Sequence, residues 1–214
     1  MDIGVAFAID RAGIVGEDGE THQGAFDLSY LRAIPNMTLL APYNEHSMKA
    51  VMAFAKEYNS PCAFRYPRGA FLAADCNCEP YELGKSVLLQ EGEDILLIGY
   101  GNGVGRAMLT AEKLEQKAGV LDLRFVKPLD TEMLLELSSE YKQWYVFSDS
   151  AALGGVGSAL LEFLSGENIM DVSLTTFEYD DAFITHGNTR LVEESLGLLP
   201  EQLAARISEG SVKD

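Results

Sequence analysis

Fifteen consecutive residues, Asp10 to Gly24 (DRAGIVGEDGETHQG), gather much of the reactive side-chain chemistry in this chain. Arg11, Glu17, Asp18, Thr21 and His22 lie there among four glycines, which let backbone approach a ligand closely. An imidazole titrates near neutrality, so His22 is a candidate general acid or base. The planar fork of Arg11 suits a carboxylate or a phosphate. A second candidate is RYPRG, residues 65–69. Pro67 biases Tyr66 toward an extended conformation and Gly69 frees the next turn, which fixes the backbone around Arg65 and Arg68. In so acidic a chain, two arginines at a strand end point to an anionic ligand. Each motif also has an inert reading. Asp10 and Arg11 pair on a surface loop while His22 is idle, or the two arginines simply bridge to surplus carboxylates. Spacing alone does not choose.

The elements that must position these residues follow from periodicity. Ile3 to Ile9 is continuously apolar and reads as a buried parallel strand, so the Asp10–Gly24 loop leaves its C-terminal end, where α/β folds place ligand sites. A short helix (Ala25 to Arg32), a strand near Met37 to Ala41, and a helix capped by Asn44 with Met48, Val51, Met52 and Ala55 on one face come next. Cys62 to Tyr66 is a further strand, closed by Pro67. Residues 71–84 lose regular pattern and read as a linker. Beyond it, strands at Ser86–Leu89, Asp94–Tyr100, Val120–Phe125, Trp144–Ser148 and Asp171–Phe177 alternate with helices near Val104–Ala118, Thr131–Tyr141, Val156–Ser165, Arg190–Leu196 and Glu201–Ser208. Such alternation predicts an α/β fold with a mainly parallel sheet and helices on both faces. Charge shifts across the linker: residues 1–80 carry six basic and ten acidic side chains, residues 81–214 carry ten and 23. Two domains, 1–78 and 79–214, are expected. Opening directly on a buried strand suggests missing neighbours, so the chain looks cut.

The composition excludes several classes. Of the 214 residues 47% are hydrophobic, which is globular, and the net charge of −17 argues against nucleic acid and anionic membrane surfaces. No apolar run approaches the roughly 18 residues of a membrane span, and Met1-Asp2 does not begin a signal peptide. Cys62, Cys76 and Cys78 are too few for a disulfide framework, and the Cys76–Cys78 spacing is wrong for zinc, so free thiols in a reducing cytoplasm and no metal are expected. Gly99, Gly101, Gly103 and Gly105 fail the dinucleotide spacing because Val104 or Arg106 stands where a third glycine is needed. They read as a tight strand-to-helix turn, as do Gly154, Gly155 and Gly157. No G-x-S-x-G, P-loop or H-E-x-x-H motif occurs. His46 and His186 read as structural, and Trp144 as core.

DRAGIVGEDGETHQG followed by FDLSYLRAIPN (residues 26–36) and RYPRG resembles the 1-deoxy-D-xylulose-5-phosphate synthases, thiamine-diphosphate-dependent relatives of transketolase. The likeness continues through LDLRFVKPLD (121–130), LGGVGS (153–158) and FITHGNT (183–189). It implies the later part of a pyrimidine-binding domain followed by a transketolase C-terminal-type domain. It also implies condensation of pyruvate, with decarboxylation, and glyceraldehyde 3-phosphate. On that likeness Arg11 and Arg68 bind the acceptor's phosphate, His22 donates a proton or hydrogen bond, and Asp18 orients hydroxyls, with Arg65, Tyr66 and Thr21 in support. The family's GDG…N motif for diphosphate and Mg²⁺, and its activating glutamate, are not in this sequence. Cofactor binding and turnover by these residues alone are therefore not expected, whereas the complete protein would use thiamine diphosphate and Mg²⁺ as a cytoplasmic homodimer. Ser148-Asp149 departs from the paired glutamates common at that place. Alternatives are a transketolase proper, a split transketolase-like C-terminal subunit, or a non-catalytic α/β interaction module.

Overall fold

The computed structural model describes residues 3–73 and 77–210. Cys76 lies outside them; Cys62 is a buried free thiol. Among the described residues no helix is long and apolar enough to cross a membrane.

The first half builds β1 (Ala6–Ile9), 3-10 turns at Gly16–Asp18 and Glu20–His22, α1 (Asp27–Arg32), β2 (Thr38–Leu40), α2 (Glu45–Glu57) and β3 (Cys62–Arg65). The three strands pair in parallel in the order β1-β3-β2. Asn44 caps α2 as its residue type predicts: Ser47 N donates to Asn44 Oδ1 and Asn44 N donates to Ser47 Oγ, both at 2.8 Å. The face of α2 that meets the sheet runs through Met48, Val51, Phe54 and Ala55. Met52, expected on it, is 56% exposed because it lies on the outer margin of that stripe.

The second half builds β4 (Val87–Gln90), β5 (Ile95–Tyr100), α3 (Asn102–Ala111), β6 (Gly119–Asp122), β7 (Phe125–Lys127), α4 (Thr131–Glu140), β8 (Gln143–Ala151), α5 (Val156–Gly166), β9 (Ser173–Tyr179), α6 (Thr189–Ser195) and α7 (Pro200–Gly210). Its sheet runs β4-β6-β5-β8-β9, parallel except for β4. Every residue of β5 (ILLIGY) is buried, as a central strand covered on both faces requires. Leu96, Ile98, Trp144 and Val146 face Leu134 and Leu160. Ile95, Leu97, Tyr145 and Phe147 face Ala107, Leu203 and Ile207 on the other side. The former core runs on without a break into Leu28, Leu39, Ala41 and Ala63 of the first half.

Two strands depart from expectation. The Ile3–Ile9 segment is not buried: Ile3, Val5 and Phe7 are 57%, 40% and 48% exposed. The reason is position, since among the described residues β1 is the outer strand of its sheet and pairs only with β3. The apolar run Val120–Phe125 is not one strand. β6 stops at Asp122, and Arg124, in the left-handed region at φ 54°, turns the chain so that β7 pairs antiparallel with β2 of the other sheet. That turn is held by Asp122, whose Oδ1 accepts from Arg124 N at 3.1 Å and whose Oδ2 accepts from Arg124 Nε at 3.3 Å. The Arg124 guanidinium also lies 4.6 Å from the Tyr81 ring centroid and donates to Pro80 O.

Candidate functional site

Because β1 and β3 run parallel, the loops leaving their C-terminal ends emerge side by side. Arg11 donates from Nε to Asp18 Oδ2 at 3.1 Å and from Nη1 to Asp10 Oδ2 at 2.8 Å. Arg68, from the other loop, donates from Nη1 to Asp18 Oδ1. Asp18 is therefore shared by both arginines, and the hydrogen bond from Arg11, then that from Arg68, holds its carboxyl below the usual range. The same contact raises the Arg11 guanidinium further. Arg11 sits at φ 61°, a left-handed conformation that costs a residue with a Cβ about 1–2 kcal/mol. Such strain persists where surrounding structure enforces it, and it falls here on a residue that motif chemistry singles out. His22 is exposed at the end of its turn, with Nδ1 3.3 Å from Thr21 Oγ1. Among the described residues no bond joins it to the other three. The fold thus brings Arg11, Asp18 and Arg68 together, and leaves His22 on the same loop beside them.

The loop is closed at its base. Gly13 N donates to Gly24 O at 2.8 Å, Gly24 N donates to Gly13 O at 2.9 Å, and Ala12 N reaches Tyr66 O on the neighbouring loop at 2.9 Å. A Cβ on Gly24 would lie 1.9 Å from Arg11 O, so only glycine fits the neck. Below it stands Arg65, 4% exposed. Its Nε and Nη2 donate to the two oxygens of Asp27 at 2.8 and 3.0 Å, and Nη2 also reaches Gly24 O and Asp149 O, each at 2.7 Å. The two arginines of RYPRG thus do different work. Arg65 is a buried strut, and Arg68 faces solvent with a side chain 51% exposed.

Asp149 is the floor under this strut. A Cβ on Gly13 would come within 2.7 Å of Asp149 Cβ, so the loop rests directly on it. Its Oδ1 accepts from Arg106 Nη1 at 2.8 Å and from the Tyr179 hydroxyl at 3.2 Å, while Arg106 Nη2 donates to Glu193 Oε1 at 2.7 Å. Burial pushes the Glu193 carboxyl up, and burial pushes the Tyr179 hydroxyl well up. Sequence reasoning missed Asp27, Arg106 and Glu193. The one available signal was Arg106 itself, a charge inside a glycine-rich turn. Those glycines serve close packing, as expected: a Cβ at Gly99 would lie 2.4 Å from Val104 Cα, and one at Gly103 2.0 Å from Phe147 O.

Chemically, the arrangement has the donors to take an anion. Arg11 uses Nε and Nη1, and Arg68 uses Nη1, so among the described residues Arg11 Nη2 and Arg68 Nε and Nη2 remain to grip phosphate oxygens. Asp18 supplies an acceptor for hydroxyls, and His22 a group able to give or take a proton. A metal-bound diphosphate does not fit here. Among the described residues no three His, Cys, Asp or Glu side chains cluster as ion ligands, and the carboxylate of the loop is already shared by two guanidiniums.

Residues 84–203 match the family model described as transketolase, C-terminal domain, and residues 1–72 match transketolase, pyrimidine binding domain. The chain belongs to the transketolase family. Among its curated relatives are the 1-deoxy-D-xylulose-5-phosphate synthases of Sulfurimonas denitrificans and Nitratiruptor sp., each 60% identical over 209 residues, or 97% of this chain and 34% of the relative. That of Helicobacter hepaticus is 53% identical over 215 residues, covering 98% of this chain and 34% of the relative. The chain therefore spans about a third of the length of these relatives. A solved structure described as split gene transketolase, inactive beta4 tetramer, superposes with a TM-score of 0.80 at 24% identity, over 95% of this chain and 64% of that one. At that identity the likeness shows the fold alone.

Proposed function

We propose that this chain forms the acceptor-binding part of a 1-deoxy-D-xylulose-5-phosphate synthase. That enzyme joins pyruvate, with loss of CO₂, to glyceraldehyde 3-phosphate and yields 1-deoxy-D-xylulose 5-phosphate. The observation that carries the reading is the convergence of Arg11 and Arg68 on Asp18, at the edge of the sheet where both loops open. The two guanidiniums hold the acceptor's phosphate, and Asp18 accepts a hydrogen bond from its hydroxyl. As the new carbon–carbon bond forms, negative charge develops on the aldehyde oxygen, and a proton or hydrogen bond from His22 stabilises it. Thiamine diphosphate and Mg²⁺, which the reaction requires, are held outside the described residues, and the 214 residues by themselves neither bind them tightly nor turn over. The division into a pyrimidine-domain portion and a C-terminal domain falls at residues 78 and 79. The reading extends to a cytoplasmic homodimer. The free thiol of Cys62 suits a reducing compartment, and the open apolar side chains of β1 suit further protein contact.

The test is Arg11→Ala and Arg68→Ala in the complete enzyme, with glyceraldehyde 3-phosphate and unphosphorylated glyceraldehyde compared as acceptors. Each variant should raise KM for the phosphorylated acceptor at least tenfold, about what one charge-assisted contact is worth, and leave KM for pyruvate nearly unchanged. Preference for the phosphorylated acceptor surviving both substitutions would refute the assignment.

A further inference from the structure

The loop that carries Asp18 and His22 is braced from outside as well as closed at its neck. Gln23, directly after His22, is 8% exposed. Its Oε1 accepts from Val15 N at 2.7 Å, and its Nε2 donates to Thr185 O at 3.4 Å. One buried amide therefore spans both arms of the loop and ties them to the far half of the chain. A second tie lies beside it, where Gly187 N donates to Gly16 O at 3.0 Å. Gly16 stands at φ 70°, and a Cβ there would come within 2.9 Å of Thr189 Oγ1. These contacts grip Val15 and Gly16, which lead into the turn bearing Asp18, and Gln23, which follows His22. Arg68, on the neighbouring loop, is not held by them. They thus set where Asp18 and His22 stand relative to Arg68.

We propose that Gln23 is a positioning residue of this site, and that the segment Thr185–Thr189 is the brace through which the C-terminal half fixes the acceptor-binding loop. The proposal rests on the acceptor reading of Arg11, Asp18, His22 and Arg68 above. It gives the C-terminal half a definite part in acceptor recognition. An amide serves here because its oxygen takes an N–H from one arm of the loop while its NH₂ reaches a carbonyl on the brace. An alanine supplies neither contact, and a glutamate keeps only the first.

The experiment uses the complete enzyme. Gln23→Ala and Gln23→Glu are compared with the parent for KM toward glyceraldehyde 3-phosphate, KM toward pyruvate, and thermal midpoint. The expected result is a rise of about three- to tenfold in the acceptor KM for Gln23→Ala, with the pyruvate KM within about twofold of the parent. Gln23→Glu, which keeps the 2.7 Å bond to Val15 N, should fall between them. A purely structural role would lower the thermal midpoint and leave the two KM values unmoved, or move them together, and either outcome overturns the proposal. Should Gln23→Ala fail to fold, Gln23→Glu is judged alone by the same split. Arg11→Ala, measured in parallel, separates the two levels of argument. If it too leaves the acceptor KM unchanged, the acceptor reading itself falls. If it raises that KM and the Gln23 variants do not, only the positioning role falls.

Discussion

Removing the carboxylate of Asp27 while leaving Arg65 in place strands a guanidinium whose side chain is only 4% exposed. Arg65 would keep its bonds to Gly24 O and Asp149 O, but two neutral carbonyls do not replace a bidentate carboxylate partner. Breaking a buried pair from one side costs about 3–5 kcal/mol, so Asp27→Asn should lose about 4 kcal/mol. Arg65→Met should lose at least as much, because it strands Asp27 and also takes the guanidinium donor from Asp149 O, while Gly24 O keeps its bond from Gly13 N. The double variant, Asp27→Leu with Arg65→Met, leaves no buried charge. Its cost should fall well short of the sum of the single costs, a coupling of about 3 kcal/mol or more. Trp144, the only tryptophan and fully buried, reports unfolding by its fluorescence. With a urea slope of about 2 kcal/mol per molar, Asp27→Asn should lower the midpoint by about 2 M. Additive losses, or an Asp27→Asn cost below about 1 kcal/mol, would refute the claim that this pair is desolvated and mutually dependent.

Burial pushes the Asp122 carboxyl up to about 7, against the opposing pull of Arg124. The folded state then holds that proton more tightly than the unfolded chain, so its favourable contribution fades as pH climbs from the ordinary carboxylate range through about 7. Relative to the parent, Asp122→Asn should gain in thermal midpoint between about pH 5 and pH 8, and a constant difference across that window would count against it. Gly24→Ala should destabilise by about 3 kcal/mol or more in the same urea assay, since its Cβ would meet Arg11 O at 1.9 Å. Gly19→Ala is the control: at φ 93°, with nothing within 4 Å of its Cβ, it should cost only about 1–2 kcal/mol.

What could be read from the sequence was whatever is local. The cap at Asn44, the helices α4, α5 and α7, and the strand-to-helix turns at Gly101 and Gly154 each depend on residues a few positions apart. Left-handed φ values of 58° and 75° at those two glycines bear out the turns. Three features were not legible because each depends on distant chain. The Ile3–Ile9 run has the composition of a buried strand, and only sheet order shows that its side chains lie at an open edge. The break before β7 hides in an apolar run because a buried Asp122 lets Arg124 adopt a conformation its type disfavours. The ion pairs beneath the loop join residues 38, 43 and 87 positions apart, beyond any periodicity. At the site, motif chemistry and resemblance supplied Arg11, Asp18, Arg68 and His22. That Asp18 is shared by both arginines, while His22 stands apart from them in bonding, is set by how the fold brings two distant loops together.

The exchange of β7 into the first sheet bears on how such a chain is made. A ribosome delivers residues at about 5–20 per second, so β2 leaves the tunnel several seconds before its antiparallel neighbour is synthesised. During that interval β2 presents an unpaired edge, beside apolar residues such as Leu39 and Ala63 that the finished molecule hides. Pairing over so long a stretch of chain is slow by its topology. The nascent β2 edge thus has to be shielded until β7 arrives. Synthesis pauses within residues 41–124 would lengthen that exposure, and haste there would shorten it.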